Sequence, residues 1–251
     1  MTAELFSLSG KVACVTGASA GLGRTIASAF CAAGAAVVGV ARRETALAHW
    51  ADEQSAAGGR AAVLAADVTQ GAALAEPIAA PFGAPDILVN GAGLNPRQDA
   101  DQVTPEVWRQ TLELNLSAPF FLAQALVPAM RAKGWGRIIN IASLQSSRAF
   151  AKGIAYGASK GGVAQLTRAM AEAWSRHGIT CNALAPGFFP TELTEAVFAD
   201  PETAARHAAQ TCIGRNGRLE DLVGPALFLA APASDYVTGQ VLHVDGGYSA
   251  K

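Results

Sequence analysis

Short apolar, β-branched runs alternate along the chain with longer alanine-rich segments. The first strand is predicted in "KVACVTG", the first helix in "GRTIASAFCAAG", which ends at Gly34, and the second strand in "AAVVGVA". Successive residues in these strands are apolar, which indicates burial on both faces in a parallel sheet covered by helices. The same pattern predicts five further strands, in "AAVLAAD", "DILVNGAG", "GRIINIAS", "ITCNALAPG" and "QVLHVDGG".

This alternation predicts the α/β fold class, as a single doubly wound domain over residues 1–251. We expect a parallel sheet of about seven strands with helices on both faces. A chain of 251 residues, 51% of them apolar, can bury one such core. The least regular stretch, at about 188–216, is aromatic and apolar, so it is predicted to be a loop that forms a substrate lid.

Charge and composition exclude several partners. The net charge of −1 provides no basic surface for nucleic acid or for an anionic membrane. No apolar run approaches the roughly 18 residues that span a bilayer, and no signal-peptide pattern is present, so we expect a cytoplasmic protein. The cysteines are widely spaced and no H-x-x-x-H or carboxylate cluster occurs, so no disulfide framework or metal site is predicted. Cys14 and Cys181 fall in apolar runs and are expected to be buried, inert thiols.

The first predicted strand runs into "TGASAGLG", where Gly17, Gly21 and Gly23 precede a helix. Glycines let the backbone approach a pyrophosphate closely, and the helix amino terminus presents N–H groups to it. The spacing differs from the G-x-G-x-x-G dinucleotide fingerprint. Its place between the first strand and the first helix nevertheless predicts nucleotide binding, with a simple tight turn as the alternative.

The end of the second strand indicates which nucleotide is bound. Arg42 and Arg43 stand about 20 residues after the glycine turn, where an acid would favour NAD. Arginines there suit the 2′-phosphate of NADP, so we predict NADP(H). NAD(H) is the alternative if the arginines are only solvated. Asp67, which ends the third strand, is expected near the adenine.

Further motifs follow the glycine turn in a fixed order. They are "NGAG" at 90–93, Asn115 in "LELNLS", Ser143 in "INIAS", Tyr156 and Lys160 in "YGASKGG", Pro186 and Gly187, Thr191, and "VDGG" at 244–247. Together with the glycine turn they resemble the classical short-chain dehydrogenase/reductase family. The resemblance implies a Rossmann-type fold, and an oxidoreductase that transfers a hydride between a nicotinamide cofactor and a ketone or secondary alcohol.

Four of these residues are expected to be catalytic. Tyr156 and Lys160 are four residues apart and share one helix face. A phenol with a pKa near 10 is a poor acid–base catalyst at neutral pH, so a nearby ammonium is expected to lower the Tyr156 pKa. The resemblance implies that Lys160 also holds the nicotinamide ribose, that Ser143 donates to the carbonyl oxygen, and that Asn115 holds a water that relays protons.

The resemblance also implies the cofactor contacts, with two departures from the family pattern. Gly91 replaces an asparagine that often supports the central strands, so we expect a local loss of stability. Ala20 stands where many NADP-using relatives have a basic residue, which leaves the 2′-phosphate to the two arginines. The expected contacts are Gly17, Ser19, Ala20, Gly21, Leu22, Gly23, Arg42, Arg43, Asp67, Val68, Asn90, Gly91, Ala92, Gly93, Tyr156, Lys160, Pro186, Gly187, Phe189 and Thr191.

The tracts "LFSLSGK", "IASLQSS" and "LAPGFFPTELTEAV" resemble the branch that includes gluconate 5-dehydrogenase and 2-deoxy-gluconate 3-dehydrogenase. This implies a keto or hydroxy sugar acid as substrate. An arginine fork suits a carboxylate, so Arg97, Gln145 and Arg148, with Phe188, are predicted to contact it. A carbonyl reductase for hydrophobic ketones or 3-oxoacyl thioesters is the enzymatic alternative. A nucleotide-binding sensor on the same fold is the non-enzymatic one.

Two further expectations concern histidines and assembly. His49, His177, His207 and His243 are not expected to cluster near the strand ends, so histidine catalysis is not predicted. The helices expected over 104–133 and 153–177 have apolar or small residues on more than one face. A monomer would expose that surface, so a homotetramer is predicted, with a dimer as the alternative.

Overall fold

The structure is a computed structural model and describes residues 2–251. In this range seven strands coincide with the predicted runs, and only the third begins one residue before its run. They are β1 (Val12–Thr16), β2 (Ala36–Ala41), β3 (Arg60–Ala65), β4 (Ile87–Asn90), β5 (Gly136–Ile141), β6 (Ile179–Pro186) and β7 (Val241–Val244). They form one parallel sheet in the order β3-β2-β1-β4-β5-β6-β7, which confirms the predicted doubly wound sheet.

Helices connect the strands and pack on both faces of the sheet. They are α1 (Thr2–Leu5), α2 (Gly21–Ala32), α3 (Glu44–Ala56), α4 (Ala75–Ala79), α5 (Pro105–Leu112), α6 (Ala118–Lys133), α7 (Ile154–Trp174), α8 (Glu195–Phe198), α9 (Pro201–Gln210) and α10 (Val223–Ala230). Among the residues described, no helix is long and apolar enough to cross a membrane.

Burial on both faces explains why the central strands are apolar at successive positions. Within β1, Val15 belongs to the core that contains Trp50 of α3, whereas Cys14 belongs to the core that contains Met130 of α6. The edge strands β3 and β7 are only partly buried, since each has a neighbour on one side. Cys14 and Cys181 are buried as expected, and burial raises the pKa of each thiol to about 12.

The strand order places a crevice beside β1. The chain first extends the sheet from β1 to β3, then returns to add β4 on the other side of β1. Connections therefore leave the carboxyl ends of β1 and β4 in opposite directions, which opens the crevice where ligands bind in such sheets. The predicted glycine turn follows β1 directly at this edge.

The helix predicted over 104–133 has a break in its middle. Thr104 caps α5 by accepting a hydrogen bond from Val107 N–H, and Pro105 takes the first helical position. A π-helical turn at Glu113–Ser117 then joins α5 to α6. Single π turns are frequent at functional sites, and this one contains Asn115.

The segment 188–216 is more regular than predicted. Instead of a loop it contains a 3₁₀ turn at Glu192–Thr194 followed by α8 and α9. A local cap stabilises α9, because the Asp200 side chain accepts from the N–H groups of Glu202 and Thr203. We refer to 188–216 below as the lid segment.

Candidate active site

Two close backbone approaches shape the turn after β1. A Cβ on Gly17 would lie 2.8 Å from the Gly91 carbonyl, and one on Gly23 would lie 2.4 Å from the Gly17 oxygen. Only glycine fits either position without moving the backbone. Ala20 precedes α2 and its side chain does not cap the helix, so the first N–H groups of α2 can bind an anion. The turn therefore fits a pyrophosphate.

Arg42 and Arg43 lie on the β2 side of the crevice. The Arg43 guanidinium donates to Ser19 Oγ from Nε at 3.3 Å and from Nη2 at 3.0 Å. Asp67 accepts from the N–H and the hydroxyl of Thr69, which, with the Arg42 charge, holds its pKa below the usual range. This is a cationic and hydrogen-bonding edge that fits a phosphorylated ribose.

The ends of β1 and β4 are held together by side chains. Thr16 Oγ1 accepts from the N–H groups of Gly91 at 3.0 Å and Ala92 at 3.1 Å. Asn90 does not line the cavity described below; its amide donates to Asn140 Oδ1 at 2.9 Å. A Cβ on Gly91 would lie 2.6 Å from the Thr16 oxygen, so this approach leaves no room for a side chain there. The stability loss expected from Gly91 stays a prediction.

Ser143, Tyr156 and Lys160 meet where β5 ends beside α7. Burial raises the pKa of Tyr156 above its usual value, and a hydrogen bond with Ser143 opposes this in part. Lys160 Nζ donates to the Ile141 oxygen at 2.6 Å and lies 5.7 Å from the centre of the Tyr156 ring. Burial lowers the pKa of Lys160 to about 8. Burial of the phenol therefore dominates the Tyr156 pKa in this structure, and the lowering expected from Lys160 stays a prediction.

The Asn115 side chain is buried and fully engaged as a donor. Its Nδ2 donates to the Leu94 oxygen at 2.9 Å and to Ser159 Oγ at 3.0 Å, and its Oδ1 accepts from Leu94 N–H at 2.9 Å. Asn115 therefore ties the π turn to the segment after β4 and to α7, next to Lys160. These contacts favour a positioning role and engage both side-chain N–H groups, and the water predicted from sequence stays a prediction.

One cavity of about 860 Å³ joins these features along the carboxyl edge of the sheet. Its walls include every predicted cofactor contact except Asn90, together with Ser143. Asn115 is buried and does not line the cavity. From the lid segment, the residues at 188, 189, 191–194, 196, 197, 203 and 207 also line it.

Three of the four predicted substrate residues line the cavity. Arg97, which has a positive φ of 49°, is exposed there, and Gln145 and Phe188 form part of the wall. Arg148 does not line the cavity, and its guanidinium donates to the carbonyl oxygens of Ser249 and Lys251. Its predicted contact with the substrate stays a prediction.

The sequence analysis missed several cavity residues, of which His207 is the clearest. Its ring stacks on Phe188, with centroids 3.7 Å apart and an interplanar angle of 19°. Burial, with smaller effects of the Arg206 and Arg97 charges, lowers the pKa of His207. Nδ1 of His207 is buried without a hydrogen-bond partner. Nothing in the local sequence indicated this position, since it depends on how α9 folds back over the crevice.

Comparisons with known proteins agree with this geometry. A family model described as enoyl-(acyl carrier protein) reductase matches residues 17–249. Gluconate 5-dehydrogenase of Gluconobacter oxydans (strain 621H) is 43% identical over 248 residues, which cover 97% of this chain and 96% of that protein. 2-Dehydro-3-deoxy-D-gluconate 5-dehydrogenase of Escherichia coli (strain K12) is 40% identical over 255 residues, with both chains fully covered.

A solved crystal structure is also similar to this chain, in both fold and sequence. The crystal structure of a gluconate 5-dehydrogenase from Burkholderia cenocepacia J2315, in complex with NADP and tartrate, superposes with a TM-score of 0.96. It is 40% identical in sequence, and the match covers 100% of both chains. The resemblance seen in the motifs is confirmed over the whole length. The chain therefore belongs to the short-chain dehydrogenase/reductase family of NAD(P)-dependent oxidoreductases.

Proposed function

We propose that this protein is a sugar-acid dehydrogenase that prefers NADP(H) and interconverts a hydroxyl and a keto group. The observation that carries the proposal is the cavity in which Ser143, Tyr156 and Lys160 share walls with arginines on two sides. Arg42 and Arg43 follow β2 and suit a 2′-phosphate, whereas the exposed Arg97 follows β4 and suits a carboxylate. The substrates in the relatives' names support the same class.

The chemistry follows from the groups that face the cavity. A bound nicotinamide would supply or accept the hydride. The Tyr156 hydroxyl gives a proton to the substrate oxygen in reduction and takes it back in oxidation. The Ser143 hydroxyl donates a hydrogen bond to the same oxygen and stabilises its developing charge. Lys160, with a pKa of about 8, is still mostly cationic at neutral pH and favours the phenolate.

The remaining parts of the cavity bind the cofactor and enclose the substrate. The glycine turn and the start of α2 hold the pyrophosphate, and Lys160 also contacts the nicotinamide ribose. The lid segment covers the substrate, with Phe188 and His207 as its wall.

The protein acts as a homotetramer in the cytoplasm. Exposed apolar side chains on the long helices support the assembly, with Phe121 50% and Ile154 51% exposed.

A substrate panel tests the proposal. Gluconate, 5-ketogluconate, a neutral polyol of the same length and a simple aryl ketone are assayed with NADP(H) and NAD(H) by nicotinamide absorbance. We expect the highest kcat/KM for a sugar acid with NADP(H). Replacing Arg97 with Gln should raise the KM for gluconate roughly tenfold or more, the cost of one charge-assisted contact, and leave the polyol unaffected.

Arg148→Gln is the matched control. It removes the same charge from a position outside the cavity, so the KM for gluconate should stay near the wild-type value. If the aryl ketone has a higher kcat/KM than every acid, and Arg97→Gln changes nothing, the substrate is a hydrophobic ketone and the proposal is wrong.

A further inference from the structure

The Arg43 guanidinium is shared between two parts of the protein. Two of its nitrogens donate to Ser19 Oγ in the glycine turn. The third, Nη1, donates to Glu192 Oε1 in the lid segment at 2.7 Å and forms an ion pair with it. The Glu192 carboxylate raises the pKa of Arg43. Three distant segments of the chain thus converge where the cofactor's 2′-phosphate is expected.

Local structure places Glu192 on this spot. Thr191 N–H donates to Thr194 Oγ1 at 3.0 Å, which closes the 3₁₀ turn that begins at Glu192. The Thr191 methyl carbon lies 3.2 Å from the point where a Cβ on Gly21 would be. The start of the lid segment therefore rests against the glycine turn, and the Glu192 side chain spans the crevice from there to Arg43.

We propose that Glu192 is a specificity-determining residue whose carboxylate competes with the 2′-phosphate of NADP(H) for Arg43 and so lowers NADP(H) affinity selectively. The proposal rests on the proposed use of Arg43 as a phosphate contact. NAD(H) has only a hydroxyl at this position and needs no guanidinium, so Glu192 does not oppose it.

Charge and exposure set the size of the effect. A phosphate beside Glu192 meets a like charge, and it must also take Arg43 from an existing partner. The pair is open to solvent, with the two side chains 52% and 65% exposed, so screening keeps the competition modest. Linkage makes the effect reciprocal, because a 2′-phosphate bound to Arg43 releases Glu192 and loosens the start of the lid segment.

The test measures cofactor binding to the cofactor-free protein by calorimetry, without substrate. Glu192→Gln keeps the side-chain shape and removes the charge. We expect it to tighten NADPH binding roughly three- to fivefold, the upper part of the range for an exposed ion pair, and to leave NADH binding within about 1.5-fold. The gain should shrink as salt is added.

Two further variants make the result specific. Glu195→Gln removes an exposed acid from the same lid segment outside the cavity, so it should change neither affinity. In an Arg43→Ala background, Glu192→Gln should tighten NADPH binding much less, because the competition for Arg43 is gone and only the like-charge repulsion between Glu192 and the phosphate remains. Equal changes for NADPH and NADH, or a full gain in the Arg43→Ala background, would overturn the proposal.

The proposed cofactor preference is tested separately by the wild-type affinities. A wild type that binds NADH more tightly contradicts the NADP(H) preference, yet a selective gain for NADPH in Glu192→Gln would still support the role of Glu192. If the wild type prefers NADPH but Glu192→Gln leaves both affinities unchanged, the proposed cofactor preference stands and the role of Glu192 is refuted.

Discussion

Replacing Asn115 with Ala tests the role of its buried side-chain amide. The substitution removes two hydrogen bonds to the Leu94 backbone and one to Ser159. Each neutral bond contributes about 1 kcal/mol net, so the free energy of unfolding should fall by about 3 kcal/mol. For a chain of this size that corresponds to a Tm lower by roughly 6–12 °C.

The same variant should also affect substrate binding. Leu94 lies three residues before Arg97, so loosening this segment moves the Arg97 guanidinium within the cavity. We expect the KM for gluconate to rise more than kcat falls. Calorimetric unfolding and initial-rate kinetics on one preparation measure both effects.

Ser159→Ala is the graded control. It removes one of the three Asn115 bonds together with the Ser159 hydroxyl's bond to the Tyr156 oxygen, and it leaves both contacts to Leu94, so the loss of stability should be about 2 kcal/mol. If Asn115→Ala leaves stability and KM unchanged but reduces kcat about 100-fold, the amide acts in proton transfer and the positioning role argued from the structure is refuted.

Three other predictions concern catalysis, pH dependence and assembly. Tyr156→Phe should reduce kcat by at least about 10²-fold while NADPH binding by fluorescence persists; near-normal turnover would exclude Tyr156 as the acid–base group. Burial lowers the pKa of Lys160 to about 8 from 10.5, so between pH 8 and 10 the unfolded chain binds more protons at Lys160, and the Lys160 contribution to stability should rise with pH. The buried thiols of Cys14 and Cys181, with pKa values raised to about 12, change stability in the opposite direction. The Lys160 contribution is therefore measured by urea unfolding as the difference in slope between the wild type and Lys160→Met, and an identical slope in both proteins would contradict it. Sedimentation at micromolar concentration should show a tetramer, and Phe121→Asp should dissociate it into smaller species; a wild-type monomer would rule out the assembly.

Local sequence was sufficient for most of the architecture. Strands buried on both faces must be apolar at successive positions, so all seven could be recognised from short runs. Steric limits on how closely the backbone can approach another group act on single residues. The glycine turn could therefore be identified without a structure. Tyr156 and Lys160 could be paired because helical spacing alone places them on one face.

Irregular segments were less well predicted, because their structure depends on contacts distant in sequence. The lid segment has weak apolar periodicity and was expected to be a loop, yet it contains α8 and α9. Composition could not show that α9 folds back to stack His207 on Phe188. It also could not distinguish Arg97, which faces the cavity, from Arg148, which binds the carboxyl-terminal backbone.

By itself, then, the sequence determined the α/β fold and the glycine turn and led to the proposed reacting side chains, because each depends on steric or periodic rules that act over a few residues. Only the tertiary structure decided how those groups behave. The pKa shifts of Tyr156 and Lys160 follow from burial beneath distant segments. The pairing of Arg43 with Glu192 joins residues 149 positions apart, and such a contact exists only once the sheet has brought both to the same edge.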